Sequence, residues 1–196
     1  MAKPIDLAER IEVKSRTELC DWLAAHHRQA ETVWLVTHKK HKPHYLSFGD
    51  IVDELLCVGW IDSRVRRIDE DRVERLISPR RPDSIWSLPN KARVEKLRAE
   101  GRMTPAGERA VRVAVENGMW GFLDDIEAQV VPDDFGAELA AARAGKGWND
   151  LTDGERKWLL YWIKSARTAK TRTKRVAAAA AAAASGRLPP PLGDSQ

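Results

Sequence analysis

The chain has 196 residues, of which 43% are hydrophobic and 32% are charged. This composition is typical of a globular protein, and no apolar run approaches the roughly 20 residues that span a bilayer. The N-terminal residues show no secretory signal, so the cytoplasm is the expected compartment. Cys20 and Cys57 both follow apolar helical patterns, and we expect them to be buried thiols that form no disulfide.

The net charge of +4 is unevenly distributed along the chain. Residues 164–196 contain seven of the 33 basic residues but only one of the 29 acidic residues, which leaves 26 basic and 28 acidic residues in 1–163. Because the body of the chain is therefore slightly acidic, the charge does not indicate that the whole protein binds nucleic acid. Only the C-terminal segment is a candidate for that role.

The N-terminal half predicts the element order β-α-β-α-β-β. Ser15 and Ser47 are the residue types that cap helices, and each precedes an apolar run. β-branched and aromatic residues dominate 32–38, and two alternating runs flank the turn 69–71. The predicted elements are a strand at 11–13, a helix after Ser15, a strand at 32–38, a helix from Ser47 to Gly59, and a hairpin of 61–68 and 72–77.

The C-terminal half predicts helices only. They cover 88–100, 104–117, 120–131 and 133–144, and a further helix opens at Thr152. Eight consecutive alanines follow Val176 and are expected to form a frayed helix end, because alanine buries little area. The fold class is therefore α+β. We expect an α+β portion at 1–88, a helical portion at 89–176 packed on it as one composite domain, and an Ala-rich helix end with a disordered Pro-rich tail at 177–196.

Three motifs mix large aromatics, arginines and small polar residues around turn-forming Pro and Gly. They are GWIDS at 59–63, PRRPDSIWS at 79–87 and GRMTPAG at 101–107. Guanidinium groups match carboxylates and phosphates in shape, and a helix N-terminus attracts anions. The motifs therefore predict an anion site with arginines as charge donors, Ser and Asn as neutral donors, Trp as walls, and Asp62 orienting an arginine. The predicted ligand-binding residues are Trp60, Asp62, Arg80, Arg81, Ser84, Trp86, Ser87, Asn90 and Arg102.

The same residues have structural interpretations that stay open. Arg80 and Arg81 can instead pair with Asp62, Asp83 or Glu residues and hold the loop to the body. The tryptophans can belong to the core, since Trp is large and mostly buried in folded proteins. The region is then a junction between the hairpin and the helices.

No catalytic, metal or cofactor site is predicted. His38, His41 and His44 recur every third residue, but they lie in a Lys-rich loop and no Asp or Cys joins them. Paired acids such as Asp124 and Asp125 are typical of helix starts. Cys57 has no His close by in sequence.

The C-terminal basic stretch is a second candidate binding region. It contains six cations and no acid. Such a stretch is typical either of a helix that binds phosphates of nucleic acid or lipid, or of a solvated helix that faces the acidic segment 124–138. The predicted nucleic-acid-binding residues are Lys164, Arg167, Lys170, Arg172, Lys174 and Arg175.

The motifs, taken in order with Trp120 and RKWLLYWIKSARTAKTRTKR at 156–175, resemble the YdeI/OmpD-associated (OmdA) family, also labelled bacteriocin-protection. The resemblance covers about residues 10–185. It implies a bacterial or archaeal protein linked to resistance against cationic antimicrobial peptides, and the family name implies a porin as partner. Some descriptions of the family imply a periplasmic location. The resemblance supplies no catalytic residues.

Three hypotheses about function follow. The first is a non-catalytic stress or resistance-associated protein that binds an anionic small molecule or partner. The second is nucleic-acid binding through the basic helix. The third is an enzyme that acts on a small anionic substrate in the same pocket.

Overall fold

The structure, a computed structural model, describes residues 5–186. The Pro-rich tail expected at 187–196 lies outside the described residues. The backbone divides into two compact units, Met1–Gly121 and Phe122–Gln196. Within the described residues, none of the helices combines the length and apolar character needed to cross a membrane.

The first unit contains a four-stranded mixed sheet in the order β1-β2-β4-β3. Strand β1 runs parallel to β2, whereas β4 is antiparallel to both β2 and β3. The predicted α+β class and the order β-α-β-α-β-β are confirmed. The strands are β1 (Arg10–Glu12), β2 (Val33–His38), β3 (Trp60–Arg67) and β4 (Arg72–Pro79).

Two helices, α1 (Arg16–His26) and α2 (Phe48–Cys57), connect these strands. Both begin where the sequence predicts, because the Ser15 and Ser47 hydroxyls accept backbone N–H bonds of 3.1 and 3.0 Å from the third residue beyond them. The apolar sides of α1 and α2 form one core with β2, built around Leu19, Leu23, Val33, Leu35 and Leu55. This core holds the two helices, and the polar groups between them, in fixed positions.

Two further helices, α3 (Leu88–Ala99) and α4 (Pro105–Glu116), complete the first unit. Both were expected in a helical portion that begins at residue 89. A Cβ on Gly107 would lie 2.4 Å from the Cys57 carbonyl oxygen, so the start of α4 touches the end of α2. The Thr104 hydroxyl donates to the same oxygen at 2.7 Å. The GRMTPAG motif thus joins α4 to the α2 end, directly before GWIDS.

The second unit consists of helices within the described residues. The helix expected at 133–144 ends at Ala141, and Arg143 adopts a left-handed φ of 53° before a short helix that the sequence analysis did not predict. The segment expected to be helical at 120–131 contains only a single turn. The helices are α5 (Asp124–Glu127), α6 (Asp133–Ala141), α7 (Gly145–Asp150), α8 (Asp153–Lys164) and α9 (Ala169–Ser185).

The alanine run was expected to be a frayed helix end, and this expectation is wrong for the described residues. It continues α9, and four of its alanines (Ala179, Ala180, Ala182 and Ala183) are buried. A Cβ on Gly147 of α7 would lie 1.9 Å from the Ala183 carbonyl oxygen. Small side chains on both helices therefore let the two backbones approach closely, and packing supplies the stability that alanine propensity alone does not.

Candidate functional site

The Arg80 side chain is stacked inside the first unit. Its Cζ lies 3.6 Å from the centroid of the Trp86 ring, and Nη1 donates to the Ile85 carbonyl at 3.3 Å. Burial lowers the pKa of Arg80 to about 10, although the nearby Asp62 carboxylate opposes this shift. Its Nε is buried and donates to no described residue. Arg80 is therefore held mainly by the aromatic ring.

Four of the predicted ligand-binding residues line one small cavity: Trp60, Asp62, Arg80 and Asn90. Its volume is about 10 Å³. That volume is about the space that one water molecule needs. The structure thus brings these residues together, but the cavity between them has no room for a small-molecule ligand.

The two tryptophans predicted as walls are both only 1% exposed. Trp60 packs in the core between the sheet and the helices, and its Nε1 donates to the His27 carbonyl at 3.1 Å. The Trp86 ring lies 5.0 Å from that of Trp120. Both rings therefore occupy the interior, as the structural interpretation of the motifs describes.

The remaining residues of the PRRPDSIWS motif do not converge on a pocket. Arg81 is 81% exposed and lies 3.4 Å from Asp83. The Ser84 hydroxyl accepts the Arg81 N–H at 3.0 Å, and Ser87 precedes α3 without a side-chain cap bond. Asp62 pairs with Arg75 at 2.7 Å, an arginine that the sequence analysis did not single out. The ligand-binding role of these residues stays a prediction.

Arg102 lies at a different place, in an open cleft between α1, α2 and the segment before α4. We call this feature the Glu54 cleft. Its inner part has a volume of about 340 Å³ and is lined by Cys20, Leu23, Ala24, His27, Glu54, Cys57, Val58, Arg102 and Thr104. An outer part of about 470 Å³ shares Cys20, Glu54 and Arg102 with it, and adds Arg16 and Thr17. The inner volume alone is in the range of small-molecule sites.

A buried carboxylate organises the Glu54 cleft. Glu54 is 7% exposed and accepts hydrogen bonds from Arg16 Nε at 2.6 Å, Arg102 Nη2 at 2.5 Å and Cys20 Sγ at 2.9 Å. Arg16 also pairs with Asp50 at 2.8 Å, and Arg102 with Glu100 at 3.0 Å. The carboxylate therefore fixes two guanidinium groups at the cleft, and both planar forks are oriented before a ligand arrives.

The two thiols of the cleft are poor nucleophiles. Burial, together with the hydrogen bond to Glu54 and the charge of that carboxylate, raises the pKa of Cys20 to about 12. Burial raises the pKa of Cys57 to about 11, again with a contribution from Glu54. Both cysteines form no disulfide, but Cys20 is only half-buried. Since the thiolate is the reactive form, neither cysteine is activated near neutral pH.

The six cations of the C-terminal stretch separate into two groups. Lys164 pairs with Asp125 at 3.0 Å, Arg172 with Asp134 at 2.7 Å, and Arg175 donates to the Trp162 carbonyl at 2.6 Å. The other three cations are Arg167, Lys170 and Lys174. They are exposed and pair with no described residue. Half of the predicted surface is therefore engaged within the second unit.

The histidine loop forms no metal site in the described residues. His41 lies 3.2 Å from Asp71, and the His38 and His44 rings are 5.7 Å apart. Within residues 5–186, no group of three His, Cys, Asp or Glu side chains has the geometry to hold a metal ion.

The comparisons with known proteins divide the chain in two. Residues 11–110, which are 100 of the 196, match the family described as domain of unknown function DUF8412. The chain belongs to this DUF8412 family. Residues 129–186 match the family described as Bacteriocin-protection, YdeI or OmpD-Associated (OmdA). No curated protein and no solved structure matches the chain.

The OmdA resemblance is thus confirmed for the C-terminal part, over a shorter range than the expected 10–185. The motifs at 59–63, 79–87 and 101–107 lie in the DUF8412 match instead. The Glu54 cleft also lies wholly within the DUF8412 match, because its lining residues fall between Arg16 and Thr104. The basic stretch lies in the OmdA match.

Sequence reasoning missed Arg16, Cys20 and Glu54. A usable signal was present in α2, within the mostly apolar run 51–57, which is typical of a buried helix segment. Two acids interrupt it, Asp53 and Glu54, and buried acids require partners. The structure supplies Arg93 for the first acid, at 2.5 Å, and the two cleft arginines for the second.

Proposed function

We propose that the protein is a non-catalytic binding protein that takes a small anion in the Glu54 cleft. The observation that carries this proposal is the pair Arg16 and Arg102, fixed by one buried carboxylate at the mouth of a cleft of about 340 Å³. The anion class is the one that the sequence motifs predicted, and Arg102 is the predicted residue that the cleft retains.

The donors of the cleft suit an anion. Arg16 Nη2 and Arg102 Nε donate to no described residue, so each fork keeps N–H groups for a ligand. Glu54, Asp50 and Glu100 already pair with the two guanidinium groups, so the attraction for an anion comes from these open N–H groups and not from a net positive charge. Leu23, Ala24 and Val58 supply an apolar inner wall. A small carboxylate or phosphate monoanion matches this lining.

Binding without chemistry fits the protonation of the site. The thiols of Cys20 and Cys57 have pKa values of about 12 and 11. A nucleophile needs a lowered pKa or an adjacent base, and the neighbouring Glu54 stabilises the thiol form. An enzyme using these thiols would therefore have a low reactive fraction at neutral pH.

The test is to fill the cleft with a larger side chain while leaving its hydrogen bonds and ion pairs in place. Ala24 lines the cleft but is otherwise exposed on α1, and Ala25 is exposed beside it without lining the cleft. Ala24→Leu and Ala25→Leu therefore make the same substitution on the same helix, but only Ala24→Leu places the larger side chain in the cleft. Calorimetric titration with phosphate and acetate is expected to give saturable binding to the wild type and Ala25→Leu, and at least tenfold weaker binding to Ala24→Leu. Equal affinities in both variants, or no binding at all, would exclude the cleft.

A role in resistance to antimicrobial peptides forms part of the same proposal. Its support is the description of the OmdA family, which names bacteriocin protection. A strain that lacks the protein should survive a cationic peptide less well, and the wild type but not Ala24→Leu should restore survival. Equal rescue by both would separate the resistance role from the cleft.

A second candidate function is nucleic-acid binding through the start of α9 and the residues just before it. The observation that favours it is that Arg167, Lys170 and Lys174 remain exposed without acidic partners among the described residues. Three phosphate contacts predict that affinity for an oligonucleotide falls about 40-fold between 50 and 200 mM salt. Lys170→Gln should lower the salt slope by about one, whereas Lys146→Gln on α7 should not. A salt-insensitive anisotropy signal would exclude this function.

A further inference from the structure

The second unit contains a pocket of its own, which we call the Lys164 pocket. It has a volume of about 260 Å³. It lies between α5, the segment before α6, α8 and the start of α9. Its lining residues are Asp125, Ile126, Val130, Pro132, Leu160, Lys164 and Arg172.

The floor of the Lys164 pocket is apolar. Ile126 and Leu160 belong to the hydrophobic core of the second unit, with exposures of 5% and 2%. Pro132 adds a further apolar wall, and Val130 is 54% exposed. An apolar cavity of about 150 Å³ already takes a benzene molecule. The pocket, with its volume of about 260 Å³, therefore has room above this floor for a compact apolar group the size of a benzene ring.

The sides of the pocket carry two cations. The Lys164 ammonium lies 3.0 Å from Asp125 and 5.1 Å from the centroid of the Phe122 ring. Arg172 gives two N–H bonds to Asp134, of 2.7 and 2.8 Å, and its Nη1 donates to no described residue. Both cations therefore keep donors beyond their present partners, since an ammonium has three and a guanidinium five.

The acids beside the two cations limit the charge of the ligand. Asp125 and Asp134 already balance the charges of Lys164 and Arg172, so an anion would be held by the N–H groups that these two cations keep unengaged. A monoanion adds one negative charge beside the two carboxylates, whereas a phosphate dianion would add two. A carboxylate is a monoanion whose two oxygens can accept from two cations at once.

We propose that the Lys164 pocket binds a small carboxylate that carries a compact apolar group. The apolar group contacts Ile126 and Leu160, and the carboxylate accepts hydrogen bonds from Lys164 and Arg172. Five of the pocket's seven lining residues lie in the OmdA match, and none is shared with the Glu54 cleft. The site assigns two of the six basic residues to a ligand other than nucleic acid.

The experiment titrates the full chain with benzoate, and with two probes that each lack one feature. Benzamide keeps the ring without the charge, and acetate keeps the charge without the ring. Methyl NMR signals of Ile126, Val130 and Leu160 report binding at this site. We expect saturable shifts with benzoate and affinities at least tenfold lower for both other probes. Equal affinity for benzamide, for acetate or for both would overturn the proposal.

Two variants locate the site. Lys164→Gln should weaken benzoate binding about tenfold, the ratio expected for one lost charge-assisted hydrogen bond. Lys170→Gln makes the same charge change at an exposed position of α9 and should leave binding unchanged. Val130→Trp fills the pocket from an exposed position and should abolish the shifts. The proposal fails if Lys164→Gln and Lys170→Gln behave alike, if Val130→Trp still binds, or if Ala24→Leu in the first unit removes the benzoate shifts.

Discussion

Replacing the buried carboxylate of Glu54 should both destabilise the first unit and activate its thiols. Glu54→Gln keeps the shape of the side chain but removes the charge that faces Arg16 and Arg102. Breaking a buried ion pair costs about 3–5 kcal/mol. Here the two arginine side chains are 41% and 29% exposed, so water replaces part of the lost interaction and we expect about 2–3 kcal/mol.

The same change should lower the pKa of Cys20. Burial is the main cause of its pKa of about 12, and the Glu54 hydrogen bond and charge are the next two causes. Glu54→Gln removes the negative charge, while Arg16 and Arg102 remain and favour the thiolate. We expect the pKa to fall by about one unit, which raises the thiolate fraction about tenfold at any pH below it.

Iodoacetamide alkylation measures this effect. The rate at Cys20, followed by mass spectrometry between pH 7 and 11, should rise about tenfold in Glu54→Gln at pH 8, since the thiolate is the nucleophile. Asp53→Asn is the control, because this neighbouring acid pairs with Arg93 and does not contact Cys20. The alkylation rate should be measured at urea concentrations well below the unfolding transition of each variant. Under that condition a faster rate reflects the thiol pKa and not unfolding. An unchanged or upward-shifted pH profile in Glu54→Gln would refute the account of the cleft.

Three further predictions concern stability. Gly147→Ala should lower the free energy of unfolding by about 2–3 kcal/mol, because the added Cβ would lie 1.9 Å from the Ala183 oxygen. Gly145→Ala, with open space at its Cβ, should be neutral or slightly stabilising in the same urea titration. Gly107→Ala should cost about 2 kcal/mol or more, since its Cβ would lie 2.4 Å from a carbonyl oxygen. Backbone hydrogen bonding lowers the pKa of Asp69 to about 2. The contribution of this carboxylate to the stability of the fold is therefore complete above about pH 4 and disappears as the pH falls through about 2. The melting temperature of Asp69→Asn should therefore lie below that of the wild type at pH 6, and this gap should close toward pH 2.

The local features of this fold were predictable from the sequence. Ser15, Ser47, Thr104 and Thr152 each cap the helix that the sequence assigns to them, because a cap depends on residues only three positions apart. The strand at 32–38 was also predictable from local sequence, because β-branched and aromatic residues favour β-strands.

The candidate site depends instead on contacts between distant residues. Arg16 and Arg102 reach Glu54 across 38 and 48 residues of sequence, and no local pattern shows which acid an arginine will meet. The short helix α7 was missed because its two glycines carry low helix propensity, although Gly147 is the residue that lets α9 approach. The prediction failed where tertiary packing outweighs local preference.

The buried face of α9 has a consequence for how its gene can vary. Residues 177–184 are all alanine, and one inserted or deleted residue rotates the rest of an α-helix by about 100°. In a helix with a mixed sequence such a slip would turn core side chains toward water. Within this tract the residue that enters the interface is identical to the one that leaves it. Short expansions or contractions of the alanine codons should therefore be structurally silent, so that tract length can drift while the second unit keeps its packing.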